Sequence, residues 1–172
     1  MTGPAPAPLA RLRAAAGPAT WRMGQVALAV FALDRLSKWW VVGGLDLAHS
    51  GRLGVWPPYL TFVMAWNRGV NFGIGVGVSR WVLIGLAVVI STALALWVRR
   101  RAARDGATKA MPLAWGAGII IGGALGNAWD RVVYGAVADF LNMSCCGIAN
   151  PYAFNVADVA IFAGAALIVW KA

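Results

Sequence analysis

GGALGNAWDRVVYGAVADFLNMSCCGIANPYAFNVAD, residues 122–158, is the stretch from which the rest of the chain can be read. It carries Asp130, Asp139 and Asp158, with Arg131 and the asparagines Asn127 and Asn155, in and between two apolar runs. The chain's six carboxylates are all Asp, and half of them lie here. The runs have the character of membrane spans, where an ionisable group is costly enough to be functional by default. On a helix, Asn127, Asp130 and Arg131 are i, i+3 and i+4 and form one polar face; Asn155 and Asp158 are again i and i+3. Gly122, Gly123 and Gly126 permit another helix to approach beside that face. A buried polar network that glues helices together suits Asn127, Asp130 and Arg131 at least as well as chemistry does. Asp139 and Asp158 differ, because neither has a cation of its own at helical spacing.

Composition points the same way. The 172 residues give room for one domain. The chain is 60% hydrophobic and 12% charged, with a mean hydropathy of +0.70, whereas ordinary soluble domains are about 25% charged. The net charge of +9 raises the question of nucleic acid. The basic residues, however, cluster at the ends of apolar runs, which fits membrane orientation and anionic headgroups, so no nucleic-acid partner is expected. Ten Trp suit interfacial anchoring and packing between helices. Cys145 and Cys146 are adjacent and the single His49 is remote, which leaves no metal or thiol-nucleophile constellation. The pair reads as two small, mostly buried thiols, and no metal or other cofactor is expected.

Outward from the central stretch, residues 1–20 are rich in Pro and Ala and read as a disordered cytoplasmic tail. A single membrane-embedded domain, 21–172, follows. The first span covers residues 24–42; no small-x-small cleavage site follows its short apolar core, which argues against a signal peptide. Within it Asp34 and Lys38 are i and i+4 and share a face. Residues 43–79 are rich in Gly and Pro, with β-prone pieces at 60–65 and 70–78, and read as a small periplasmic β element between the first two helices. Residues 81–98 are eighteen residues without a charge, a clear second span. The basic loop 99–109 belongs on the cytoplasmic side. A third span over 112–133 and a fourth over 152–170 complete a mainly α, four-helix polytopic protein with both termini cytoplasmic. Asp130, Asp139 and Asp158 then lie near the outer leaflet, where water arrives from one side and a lipid-borne substrate from the other.

Five pieces, in order, resemble the lipoprotein signal peptidases, or signal peptidase II. They are Asp34-x-x-x-Lys38; Asn67-x-Gly69-x-x-Phe72; the Gly122 to Arg131 run GGALGNAWDR; Val137-x-Asp139-Phe140; and Phe154-Asn155-x-Ala157-Asp158. Val70 and Asn71 stand where the family pattern has small residues. The resemblance implies an aspartic endopeptidase of the bacterial inner membrane. Its substrates would be prolipoproteins whose lipobox cysteine carries a diacylglyceryl group, cut just before that cysteine. It further implies that Asp139 and Asp158 are the catalytic pair. Asp34, Lys38, Asn67, Gly69, Phe72, Asn127, Arg131 and Asn155 would support the site or the substrate, and Asp130 would support helix packing or the position of Arg131. The expected partners are lipid-modified prolipoproteins and membrane phospholipid, and the enzyme is expected to be a monomer.

The residues themselves agree with that chemistry. Peptide hydrolysis needs a base to activate water and an acid to protonate the carbonyl or the leaving amine. Two carboxylates sharing one proton supply both, and no Ser–Lys, Ser–His or Cys–His arrangement is comparably placed. A proton-coupled transporter would also bury Asp, Arg and Asn in spans, but the chain shows no inverted repeat or pair of broken helices. LNMSC looks superficially like a lipobox; Asn142 occupies the position where Leu is wanted, and the site is far from the N-terminus.

Overall fold

In a computed structural model, which describes residues 8–69 and 78–171, the elements follow in a simple order. Helix α1 (Pro8–Lys38) widens into one π-helical turn (Trp39–Gly44), and a short α2 (Leu47–Ser50) leads to strands β1 (Arg52–Trp56) and β2 (Leu60–Asn67). Helices α3 (Arg80–Asp105) and α4 (Ala107–Val133), strand β3 (Val137–Met143) and helix α5 (Val156–Lys171) complete it. The protein is thus mostly helical with one three-stranded antiparallel sheet, ordered β1-β2-β3.

Helix α4 is the centre, packed against α1, α3 and α5. Its glycines explain how it serves two neighbours at once. A Cβ on Gly122 would fall 2.5 Å from the Ala27 carbonyl of α1, and one on Gly123 would fall 2.5 Å from the Ala157 carbonyl of α5. Both distances are impossible for real side chains, so the two adjacent glycines open opposite faces to direct backbone approach. Small residues continue the theme toward the other end. Ala19, Ala102, Ala110, Ala114 and Ala117 are fully buried beside Met23 and Val98.

Helix α3 contrasts with this. Trp81, Val82 and Val89 are 60%, 60% and 64% exposed, an apolar surface that water does not favour. By length and apolarity, α3 and α4 are the described helices that qualify as membrane spans.

Several boundaries differ from the sequence reading, each for a physical reason. Helix α1 begins at Pro8, so residues 8–20 continue the helix where a disordered tail was expected; Ala19 packs in the α1–α3–α4 core. The basic segment 99–109 is a corner between two helices. Helix α3 runs on to Asp105, one Gly106 at φ +89° turns the chain, and α4 begins at Ala107. Arg and Ala are good helix formers, and only Gly takes that φ without strain. The sheet is larger than expected. Its piece at 60–65 is β2, β1 precedes it, and β3 is contributed from between α4 and α5. The expected strand at 70–78 lies outside the described residues except for Val78.

Strand β3 is covered on both faces: Val137, Ala138, Asp139 and Phe140 are all buried. Phe140 meets Phe62 edge-on at 5.8 Å and packs with Val41 and Leu47, anchoring the sheet on the π-helical turn and α2. On β3's other edge Phe154 exchanges hydrogen bonds with Leu141 at 2.8 and 2.9 Å, which delivers Asn155 to the start of α5.

Candidate active site

Asp158 sits in the first turn of α5, held by reciprocal bonds with Asn155. The Asn155 Oδ1 accepts from the Asp158 N–H at 3.0 Å, and Asp158 Oδ2 accepts from the Asn155 N–H at 3.1 Å. This is a capping box with Asp at its third position, and it satisfies two amides at the helix start. The other carboxylate oxygen, Oδ1, accepts from Asn127 Nδ2 of α4 at 2.9 Å. A carboxylate placed here also benefits from the positive end of the helix dipole.

Asp139 is on a strand. It pairs with Ala65 in the ladder, which places Asn67 diagonally opposite on the same face. Asn67 Nδ2 donates to Asp139 Oδ2 at 3.0 Å, and Asn155 Nδ2 donates to Oδ1 at 2.6 Å. Asn155 is therefore the direct link between the two aspartates, and its Nδ2 also reaches Asn127 Oδ1 at 3.1 Å. Only 2% of Asp139 and 5% of Asp158 is exposed. Burial pushes the Asp139 carboxyl up to about 7, the nearby negative charge of Asp158 adds to the rise, and the bonds from Asn67 and Asn155 oppose it.

Arg131 lies beside both aspartates, near enough to feel their charges. It donates to the Asn127 carbonyl at 3.2 Å and to the Gly69 carbonyl at 2.7 Å. Gly69 in turn donates its N–H to Asn67 Oδ1 at 3.0 Å, so Arg131, Gly69, Asn67 and Asp139 form a continuous chain.

Asp34 and Lys38 pair as their spacing suggests, at 3.0 Å. Asp130 turns away from Arg131. Its described partners are Arg35, Lys38 at 2.7 Å, and the Ala138 N–H. Of the two supports expected from Asp130, helix packing is the one its contacts provide. Arg35 was not singled out in the sequence, although it was a third charge in the first apolar run. It bridges Asp34 and Asp130. Phe72 lies outside the described residues. No group of three or more His, Cys, Asp or Glu among the described residues is arranged to hold a metal.

Cys145 and Cys146 are exposed rather than buried. They begin a tight turn in which the Ile148 N–H donates to the Cys145 carbonyl at 2.9 Å, with Cys146 and Gly147 both at positive φ. A turn tip projects into solvent, whereas burial would have required packing partners on both sides.

Every expected site residue among those described, from α1, β2, α4, β3 and α5, converges on one end of the helices. The family model for signal peptidase (SPase) II matches residues 26–172. The chain belongs to the signal peptidase II family. A lipoprotein signal peptidase of Methylorubrum extorquens (strain PA1) is 43% identical over 150 residues, 84% of this chain and 81% of that protein. One from Rhodopseudomonas palustris is 40% identical over 156 residues, 87% of this chain and 90% of that protein. A bacterial membrane enzyme solved by the in meso method superposes with a TM-score of 0.68 at 25% identity, covering 85% of this chain and 84% of the other. Signal peptidase II enzymes are peptidases, so the chemistry of this chain is hydrolysis of a peptide bond.

Proposed function

We propose that this membrane peptidase removes the signal peptide from diacylglyceryl-modified prolipoproteins, cutting before the lipidated cysteine, and that Asp139 and Asp158 are its catalytic pair. The observation that carries the reading is the pair itself. Two buried carboxylates, one from a strand and one from a helix start, are joined through a single asparagine.

With its carboxyl raised to about 7, Asp139 holds a proton through much of the neutral range. Asp158 then acts as base on a water between the two, while Asp139 gives its proton to the scissile carbonyl oxygen. The tetrahedral diol collapses when the leaving amine takes a proton from Asp158 and the C–N bond breaks, while Asp139 takes a proton back from one diol hydroxyl to leave the carboxylic acid product. Both aspartates finish the cycle ready to exchange one proton again. Asn127, Asn155 and Asn67 are neutral donors, so they orient the carboxylates without removing the charge difference that makes acid and base distinct. Arg131 and Gly69 border the same space and suit the substrate backbone.

The four long helices α1, α3, α4 and α5 cross the bacterial inner membrane in this reading, with the sheet and the aspartates toward the outer leaflet. Nine of the fifteen basic residues (Arg11, Arg13, Arg22, Arg99, Arg100, Arg101, Arg104, Lys109 and Lys171) then fall on the cytoplasmic side with both termini. A cysteine introduced at Ser50 should react with an impermeant reagent from outside and one at Thr108 should not; modification at Thr108 contradicts the orientation. The substrate reaches the site laterally from the bilayer, and a monomer suffices because one chain supplies every residue named.

The test is turnover of a diacylglyceryl-modified prolipoprotein by purified, monodisperse Asp139→Asn and Asp158→Asn. Each should lose about 10³-fold or more in kcat, within the scale of acid–base catalysis combined with loss of the activated water. Near-normal cleavage by either variant overturns the pair.

A further inference from the structure

Behind the two aspartates stands a second pair of carboxylates arranged in parallel with the first. Asp34 Oδ1 accepts from the Ala157 N–H at 3.1 Å, and Asp130 Oδ2 accepts from the Ala138 N–H at 3.3 Å. Ala157 immediately precedes Asp158, and Ala138 immediately precedes Asp139. Each carboxylate therefore grips the backbone one residue before one member of the catalytic pair.

Two cations tie these carboxylates to each other. Arg35 places Nη2 2.6 Å from Asp34 Oδ2 and Nη1 2.5 Å from Asp130 Oδ1, and Nη2 also donates to the Gly126 carbonyl at 3.3 Å. Lys38 Nζ lies 3.0 Å from Asp34 and 2.7 Å from Asp130. Both aspartates are fully buried. Left alone they would repel each other across a poorly screened gap; with two cations between them they are drawn to a fixed separation. A guanidinium makes the stiffer tie, because its donors sit at fixed spacing in one plane. Gly126 makes the approach possible, since a Cβ there would fall 2.7 Å from Asp34 Oδ2.

We infer that Arg35 is a positioning residue for the reaction. By tying Asp34 to Asp130, it sets the distance between Ala157 and Ala138 and hence between the Asp158 and Asp139 carboxyls. The inference rests on the catalytic pair proposed above. Neutralisation during membrane insertion does not account for the arrangement. That task needs one cation near each anion, whereas here both cations touch both anions, and each anion spends an oxygen on an amide beside the pair.

The experiment is steady-state kinetics across pH on the full-length purified enzyme, with a lipidated prolipoprotein as substrate. The variants are Arg35→Gln, Arg35→Lys, and the double change Arg35→Gln with Asp130→Asn, which leaves no buried charge unmatched if the single change does not fold. Arg35→Gln should lower kcat about tenfold with KM within twofold. It should also move the alkaline limb of the kcat profile by at least half a pH unit, because the influence of Asp158 on Asp139 depends on their separation. Arg35→Lys should recover only part of the rate, and the double variant should keep the kcat loss and the displaced limb. A folded Arg35→Gln or double variant with wild-type kcat and profile overturns the inference, as does full recovery in Arg35→Lys, which would make charge alone sufficient. Asp139→Asn is run beside them. If it retains turnover, the catalytic pair has failed; if it is inactive while the Arg35 variants behave as wild type, only the positioning role has.

Discussion

Asp158 at the start of α5 and Asp139 in the middle of β3 are the same residue type held by two different kinds of structure. Asp158 is locked into a capping box at the start of a helix, where it accepts bonds from the Asn155 backbone N–H and the Asn127 side chain. Asp139 lies on a strand buried on both faces, with the amides of Asn67 and Asn155 as its hydrogen-bonding partners. The strand offers no dipole to offset desolvation, and the charge of Asp158 acts against ionisation of Asp139. The two aspartates of the proposed pair thus sit in different surroundings, one at a helix start and the other on a covered strand. An enzyme that needs two carboxylates in different protonation states gains from drawing one from a helix start and the other from a covered strand.

The change that should break this contrast most severely is Asn155→Ala, since Asn155 serves both sides. It caps α5, and losing an Asn cap costs about 0.5–2 kcal/mol of stability. It also releases Asp139 Oδ1 and unties the two carboxyls; a displacement of about 1 Å costs on the order of 10²-fold in rate. Thermal unfolding in detergent and kcat measured together should show both losses, with the loss in kcat exceeding what the unfolded fraction explains. Unchanged kcat in the folded variant contradicts the linking role. Asn67→Ala should do less, because its bond to the pair goes to Asp139 on the strand side. It removes a bond that holds the Asp139 carboxyl down, so the alkaline limb of the rate profile should move to higher pH while α5 keeps its cap.

Much of this was legible in the chain because it is local. The i, i+3 and i, i+4 spacings of Asn155–Asp158 and Asp34–Lys38 both became contacts. The long apolar runs became helices, since hydropathy reports the environment and these segments share one. It reports helix ends poorly. The basic residues after position 98 are apolar nowhere yet helical to Asp105, and residues 8–20 are helical although their composition suggested disorder. Strand β3 escaped because a short segment covered on both faces lacks the alternation that marks a half-buried strand, and its partner β2 lies about seventy residues earlier. Arg35 went unweighed for a related reason. Its role depends on Asp130, 95 residues away, and no local spacing announces that partner. The strand position of Asp139 was likewise not legible, whereas the start of the fourth apolar run already placed Asp158 near a helix start.

The most direct test of the asymmetry between Asp139 and Asp158 is the titration of the Asp139 carboxyl in the folded enzyme. Aspartate side-chain ¹³C resonances can be followed across pH, with the Asp139→Asn spectrum providing the assignment. The structure predicts a midpoint near 7 for Asp139. Folding stability carries the same signature. Because the folded protein holds a proton that the unfolded chain has released between about pH 4 and 7, this group lowers stability as pH rises through that window. Asp139→Asn removes that slope. A midpoint near 4, with no such slope in the wild-type enzyme, would show that Asp139 is an ordinary ionised carboxylate and that the division into acid and base drawn here is wrong.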